Sequence, residues 1–451
     1  MSNHARRRRL ALLASTLAVA LAAVACSSGG GKASPVPTLT GECAQYQAYA
    51  GHAGKKVSMF TSIISPPSDS LQQSWEQFEQ CTGIEIVYEG SNDFEAQLPV
   101  RVQGGNAPDL AVIPQPGLLR KMVQIGNVAK APAAAEANTE KYFNKAWKQY
   151  GSVKGTFYAA PFGANMKSLV WYSPKFFKQA GYRPPKTWDE MKALSDKIAA
   201  SGKKPWCGGI GSGTATGWPA TDWLEQVVLR TAGPFVYDQW VSHEVKFSDP
   251  PIKNAMKIVA SWMQNPAWVN GGFGDVKTIA TTSFQDAGKP ILTGQCFMLQ
   301  QASFYRLEWP TGTKVAENGD AFAFYLPGIS PSVATPVIGG GEFVTAFANR
   351  PEVQAVQIYL STPEWATSWI KLKPGWVSAN RGVDQSLYTD PIDALSAKYL
   401  TDPQAAFRFD GSDLMPAAVG AGAEWTAMTA WFGEGKSIDE TAKAIDAAWP
   451  Q

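Results

Sequence analysis

The sequence predicts an α/β protein built largely on parallel strands, and three observations carry that reading. From Lys55 onward, short apolar runs alternate with amphipathic stretches, the pattern of strand–helix–strand crossover units. Asn92-Asp93-Phe94-Glu95 and Thr187-Trp188-Asp189-Glu190 both have the N-cap-x-x-Glu spacing of a capping box and mark helix starts. At 451 residues the chain is long for one core and comfortable for two.

The elements follow in order. Val57-Ser58-Met59-Phe60 reads as the first strand, with a Ser- and Pro-rich loop after it from Ser62 to Ser68. A helix is predicted from about Asp69 to Cys81, then a second strand over Ile84-Glu85-Ile86-Val87-Tyr88. The box at Asn92 opens the next helix, and Leu110-Ala111-Val112-Ile113 is a third strand, ended by Pro114-Gln115-Pro116-Gly117. A second block repeats the style. Ser168 to Tyr172 is strand-like, Ser173-Pro174 starts a short helix closed by Gly181, and the Thr187 box starts a helix ending near Gly202. Pro219 to Ala232 is helical and stopped by Gly233, Asp249-Pro250-Pro251 starts a helix to about Gln264, and the run around Cys296 is strand-like. The last third adds helices over 351–360, 363–372, 391–400 and 437–448.

Ahead of this lies a different kind of segment. Arg6 to Arg9 precede an apolar run from Leu10 to Ala25, and Leu21-Ala22-Ala23-Val24-Ala25-Cys26 ends it. A basic stretch, a short apolar stretch and small residues before a Cys read as a lipoprotein signal over 1–25 with Cys26 as lipid acceptor. The position three before Cys26 is Ala23, where Leu is commoner. The run is shorter than the roughly 20 residues of a spanning helix. A plain secretory signal and an uncleaved anchor are the alternatives. On the lipoprotein reading, 26–40 is a flexible tether and the remainder is extracytoplasmic, held to the cell membrane by acyl chains.

The chain carries 40 Lys and Arg against 38 Asp and Glu; without the four signal arginines the balance is 36 against 38. So even a mixture argues against a nucleic-acid partner. Four cysteines remain beside Cys26, and four allow three pairings. Cys43 with Cys81 and Cys207 with Cys296 is the expected set, because each pair then stays local. No CxxC spacing suggests zinc. The 17 Trp exceed what a core of this size needs, and an indole offers a flat apolar face suited to the C–H face of a sugar ring.

Several enzyme chemistries drop out. His243-Glu244 begins like HExxH, but position 247 is Phe. Gly435-Lys436-Ser437 lacks the earlier P-loop glycine, position 430 being Ala. Gly211-Ser212-Gly213 follows Ile210 and is no nucleophile elbow. A glycoside hydrolase needs only two carboxylates at the right separation, which sequence spacing cannot measure.

Four stretches carry a resemblance: GTFYAAPFGANMKSLVWYSP at 155–174, KPWCGG at 204–209 with ATGWPATDW at 215–223, GQCFMLQQASF at 294–304, and GGGEF at 339–343. Together they resemble the extracellular solute-binding proteins of carbohydrate ABC importers, and most closely the α-glucoside-binding subgroup. The resemblance implies a two-lobed periplasmic-binding-protein-like fold with hinge strands and a ligand cleft between the lobes. It places lobe crossings near 163–167, 302–305 and 339–342. The first lobe is then 41–164 plus 304–340, and the second 165–303 plus 341–451. It implies a sugar ligand bound and released unchanged, ABC permease subunits as partners, no cofactor, no catalysis and a monomer. A lipid-anchored glycoside hydrolase and a sugar-binding adhesin or co-receptor are the rival readings.

Ligands of open α/β sheets bind beyond the carboxyl ends of strands. That selects Ser65 after the first strand, Asn92, Asp93 and Glu95 after the second, and Gln115 after the third, although Asn92 and Glu95 could simply cap their helix. At the first crossing Asn165 and Lys167 are candidates. Gly217-Trp218-Pro219 sets Trp218 at a helix entry as a ring platform, with Asp222 and Trp223 beyond it. Gln301, Ser303 and Phe304 stand at the second crossing, and Glu342 at the third. Trp376 and Arg381 form a late platform and clamp, and Asp413 sits in a polar turn with Asp410. An acidic ligand would select Lys167 or Arg381 as its partner.

Overall fold

The computed structural model describes residues 36–373, 375–402 and 404–450. The expected signal segment 1–25, Cys26 and the tether up to residue 35 lie outside the described residues. The fold belongs to the unit Thr38–Gln451.

Two sheets organise it. In the first, β1 (Lys56–Thr61) lies between β2 (Glu85–Gly90) and β3 (Leu110–Ile113), all parallel, as crossover units require. A small hairpin of β4 (Ser152–Val153) and β5 (Thr156–Phe157) leads into β6 (Ala159–Met166). The second sheet takes β7 (Leu169–Tyr172), β8 (Lys204–Trp206), β9 (Cys296–Gln300) and β10 (Phe322–Tyr325) in the order β10-β7-β9-β8. Then β11 (Pro336–Ala346) returns to the first sheet, antiparallel to β3 and β6 and parallel to β12 (Ala406–Phe409). Both sheets are therefore mixed rather than largely parallel. In the first sheet β11 and β12 run against β1, β2, β3 and β6.

Each sheet has its own apolar core. One gathers Val57, Phe78, Leu98, Val112 and Ala164, then Phe343, Tyr359, Trp369 and Trp376. The other gathers Met166, Trp171, Trp206, Trp223 and Met298, then Tyr305, Phe322, Ile338, Met415 and Trp431. The chain passes from one core to the other between Ala164 and Met166, between Ile338 and Phe343 and between Phe409 and Met415, and Ile392 also reaches into the second core. Near 302–305 the chain touches both cores: Phe304 and Leu307 pack against the first, whereas Tyr305 stays in the second, its hydroxyl donating to the Gln285 carbonyl at 3.0 Å, and β10 pairs with β7. Most of 309–338 packs with the second core and most of 343–388 with the first.

Close approach explains the glycines at the second crossing. A Cβ on Gly341 would stand 2.4 Å from the Gly163 carbonyl oxygen, and one on Gly340 would stand 3.1 Å from Lys167 Cε. Small residues let these strands touch.

Most helices fall where the caps predicted them. Thr187 accepts from the Glu190 amide at 3.2 Å and opens Trp188–Ala200. Two expectations change. The helix over 69–81 is two, Pro67–Gln73 and Glu76–Thr82, interrupted at Ser74, whose hydroxyl donates to the Leu71 carbonyl at 2.6 Å. The box at Asn92 does not form: Asp93 is the N-cap of Phe94–Gln103, without a side-chain cap bond. Gly233, at φ 80° and ψ 173°, breaks the helical backbone where the stop was expected, and a second helical stretch continues from it to Val241. Cys43 is bonded to Cys81 and Cys207 to Cys296, the expected pairs. Among the described residues, no helix is long and apolar enough to cross a membrane.

Candidate functional site

The loops after β1, β2 and β3 face the second core across a cavity of about 160 Å³. From the first core it is lined by Ser62 to Ile64, Pro67, Asn92, Glu95 and Gln115. From the second come Ser212, Ala215, Trp218, Phe284, Phe304 and Trp425. The crossing strands supply Asn165, Lys167, Gly340, Gly341 and Glu342.

One wall is aromatic. Trp218 meets Phe284 edge-on at 5.0 Å, and Phe304 stacks on Trp376 at 5.2 Å and 22°. Behind Trp376 the rings continue through Trp369 and Trp365 to Phe162 at near-parallel tilt, so the platform is anchored in the first core. Gly217, at φ 115°, lets the chain turn into the helix at Trp218; a Cβ there would strike the Trp425 carbonyl at 2.3 Å.

The facing rim is polar. The Gln115 amide donates to Glu95 Oε1 at 3.0 Å, and the Trp376 indole donates to Glu342 Oε1 at 3.0 Å. Burial pushes the Glu342 carboxyl up to about 7, against the indole, which favours the anion. Glu95 is likewise raised by burial, against the Gln115 amide. Burial, with Asp410 nearby, holds Asp413 well above the usual carboxylate range.

Beside the rim, Lys167 Nζ lies 2.9 Å from Asp222 Oδ1, hydrogen-bonds Asp410, and sits 5.1 Å from the Trp218 ring centre. Ser412 donates to Asp410 Oδ1 at 2.8 Å, and its amide donates to Glu225 Oε1 at 3.0 Å. Burial opposes the Lys167 charge, but the carboxylates of Asp222 and Asp410 outweigh it and hold the ammonium firmly protonated. Asp222 is pushed up to about 8 by burial, whereas Asp410, also desolvated, is held low by the same ammonium. Asp222, Glu225 and Asp410 bring oxygens within 4.8 Å of one another, but Lys167 already supplies the cation there.

Of the residues singled out from sequence, Asn92, Glu95, Gln115, Asn165, Lys167, Trp218, Phe304, Glu342, Trp376 and Asp413 line the cavity. The others do not. Ser65 is exposed and donates to Asp69 at 3.3 Å. Asp93 is exposed and does not line the cavity, although its Oδ1 lies toward Gly213, 3.5 Å from where a Cβ there would stand. Asp222 is spent on Lys167, and Trp223 is core, its ring against Phe432 at 5.3 Å. Gln301 folds back on the Ala302 amide at 2.7 Å, and Ser303 accepts from the Met166 amide at 3.2 Å. Arg381 points away and donates to the Phe143 carbonyl at 2.9 Å.

Phe284, Gln285, Glu308 and Trp425 line the cavity unanticipated. Phe284 and Gln285 lie in a stretch with no periodic pattern, and Trp425 follows a π-helical segment, Val419–Glu424. Ile63 and Ile64 were within reach of the rule that selected Ser65, since they share its loop.

Residues 64–368 match the model of the bacterial extracellular solute-binding protein family. The osmoprotective compounds-binding protein GgtB of Synechocystis sp. is 35% identical over 407 residues, 88% of this chain and 93% of that protein. The alpha-glucosides-binding periplasmic protein AglE of Rhizobium meliloti is 35% identical over 409 residues, 88% of this chain and 87% of that one. In fold, the bacterial solute receptor AcbH is similar at a TM-score of 0.73 and 17% identity, covering 88% of this chain and 98% of that one. Two cores with a cavity between them, three strand crossings and a match over most of the sequence agree: the chain belongs to the bacterial extracellular solute-binding proteins.

Proposed function

We propose that this protein is the receptor of an ABC-type sugar importer. It captures an α-glucoside-type sugar, a disaccharide, short oligosaccharide or glucosylated polyol, and hands it unchanged to permease subunits in the membrane. The observation that carries the proposal is the pairing of the ring platform of Trp218, Phe304 and Trp376 with the polar rim of Gln115, Asn165 and Glu342 in one cavity. Aromatic faces cover the apolar side of a pyranose, and charged or amide groups take its hydroxyls. The names of two relatives, an α-glucoside binder and a binder of osmoprotective compounds, support the ligand class. The two cores act as lobes that close on the sugar, and closure is stabilised only insofar as the ligand binds the closed state better. The chain works as a monomer, tethered outside the cytoplasm through lipid on Cys26.

A thermal-shift panel of maltose, trehalose, sucrose and glucosylglycerol tests this. A true ligand at a hundred times its Kd stabilises by about 2.7 kcal/mol, and chromatography recovers it intact. Trp218→Ala abolishes the shift while the variant stays folded. Cleaved product would move the protein to the glycoside hydrolases, and silence across the panel would end the α-glucoside reading.

A further inference from the structure

The cavity's unanswered polar atoms are mostly of one kind. Gln115 Oε1, Asn165 Oδ1 and Glu342 Oε2 are buried and without a hydrogen-bond partner, on side chains only 5%, 3% and 6% exposed. Two are set as acceptors by what their neighbours do, Glu342 in its ionised form. Gln115 has turned its amide nitrogen to Glu95, leaving Oε1 to the cavity, and Glu342 has given Oε1 to the Trp376 indole, leaving Oε2. All three hang from adjacent strands: Gln115 follows β3, Asn165 ends β6, and Glu342 is on β11 between them. Among the buried cavity-lining atoms without a partner, the one donor is the Trp425 indole N–H.

Charge points the same way. Four acids line the cavity, Glu95, Glu308, Glu342 and Asp413, and among the lining residues the only cation is Lys167. Its ammonium is held by Asp222 and Asp410. Arg381, the other cation that could have met an acidic ligand, is turned to the Phe143 carbonyl.

We infer that Gln115, Asn165 and Glu342 are the specificity-determining set of this cavity, that they select a glycoside presenting hydroxyl donors and no negative charge, and that carboxylated or phosphorylated sugars are turned away. This rests on the sugar-receptor reading above and adds the charge class of the ligand. A hydroxyl donates one hydrogen bond to each waiting oxygen, and a buried acceptor left unmet is costly. A carboxylate or phosphate has no proton to offer those oxygens at neutral pH. It also enters a desolvated space lined by four acids that burial already holds toward their neutral forms, and an anion beside any of them that is ionised is repelled strongly.

The test is titration calorimetry on the mature chain with matched pairs: maltose and maltobionate, trehalose and trehalose 6-phosphate, glucosylglycerol and glucosylglycerate. The expected result is that the neutral member of at least one pair binds, with its anionic counterpart at least about a hundredfold weaker. An anionic member binding as tightly as its neutral counterpart overturns the inference and leaves the sugar-receptor reading standing. Silence from every member, neutral and anionic, removes that reading and this inference with it. Glu342→Gln supplies the second arm. It keeps an oxygen for Trp376 and turns the waiting acceptor into a donor, so affinity for the neutral sugar falls at least about tenfold and the gap to the anion narrows. A folded Glu342→Gln protein with an unchanged gap would remove Glu342 from the set.

Discussion

Two groups of buried polar atoms lie side by side here and are treated oppositely. Around Lys167 the chain largely answers itself: the ammonium meets Asp222 and Asp410, and Ser412 ties Asp410 and Glu225 together, with Asp222 Oδ2 left over. Around Glu342, a few residues along in the same strands, three oxygens are left waiting. The first group joins the crossings. Lys167 follows the first, its amide donates to Ile338 at the second at 2.9 Å, and Asp410 opens the third. The second group faces the cavity. A buried polar group met by the chain holds architecture, and one left open beside a cavity holds a place for something else.

The sharpest way to break this comparison is Lys167→Met. It removes the cation and leaves Asp222 and Asp410 buried without one, which should cost about 3–5 kcal/mol of stability with no ligand present. Urea unfolding of the ligand-free protein measures it. A loss below about 1 kcal/mol would mean the carboxyls stay protonated and the ion pair holds nothing.

Glu342→Gln should do the reverse. In the folded chain the carboxyl is raised to about 7, from the 4.5 of an unburied glutamate. The unfolded chain therefore gives up its proton first as pH rises. The stability linked to Glu342 is fully present below about 4.5 and is lost as pH climbs through about 7, on the order of 3 kcal/mol in all. Asp222 and Glu308, raised to about 8 and about 7, slope the same way, so the difference between wild type and variant isolates Glu342. At pH 8 the variant should be the more stable protein and the poorer binder. Equal stability from pH 4 to 8 would show that Glu342 is not protonated in the fold.

The same contrast sets what could be seen in the sequence. The three parallel strands of the first sheet were legible because Val57–Phe60, Ile84–Tyr88 and Leu110–Ile113 are compact apolar runs. The loops after them followed from topology, and three of the residues they offered, Asn92, Glu95 and Gln115, do line the cavity. Neither β6 nor β11 announced itself as a strand. AAPFGANM and PVIGGGEFVTA are buried along their whole length, so they show no alternation and carry glycines that usually mark loops. The Lys167 cluster was out of reach for another reason. Its partners lie 55 and 243 residues away, and only the folded crossings bring them together. Asp222 reads from sequence as a free carboxylate until Lys167 is beside it.

The smallest expected effect draws the edge of the open group. Arg381 follows the cavity-lining Trp376 by five residues and looks from sequence like its companion clamp. In the fold it is exposed and spends its guanidinium on the Phe143 carbonyl, outside the cavity. Arg381→Ala should therefore leave sugar affinity within about twofold and stability within about 0.5–1 kcal/mol, the range of a surface change that loses one hydrogen bond. The comparison partner is Trp376→Phe, which keeps a ring for Phe304 to stack on but removes the N–H from Glu342 Oε1. That frees a second oxygen of the same carboxylate, so affinity should respond although no group at Arg381 has moved. A tenfold loss in Arg381→Ala with an unchanged Trp376→Phe would place the working edge of the site around Arg381, and the division between answered and waiting groups would have to be redrawn there.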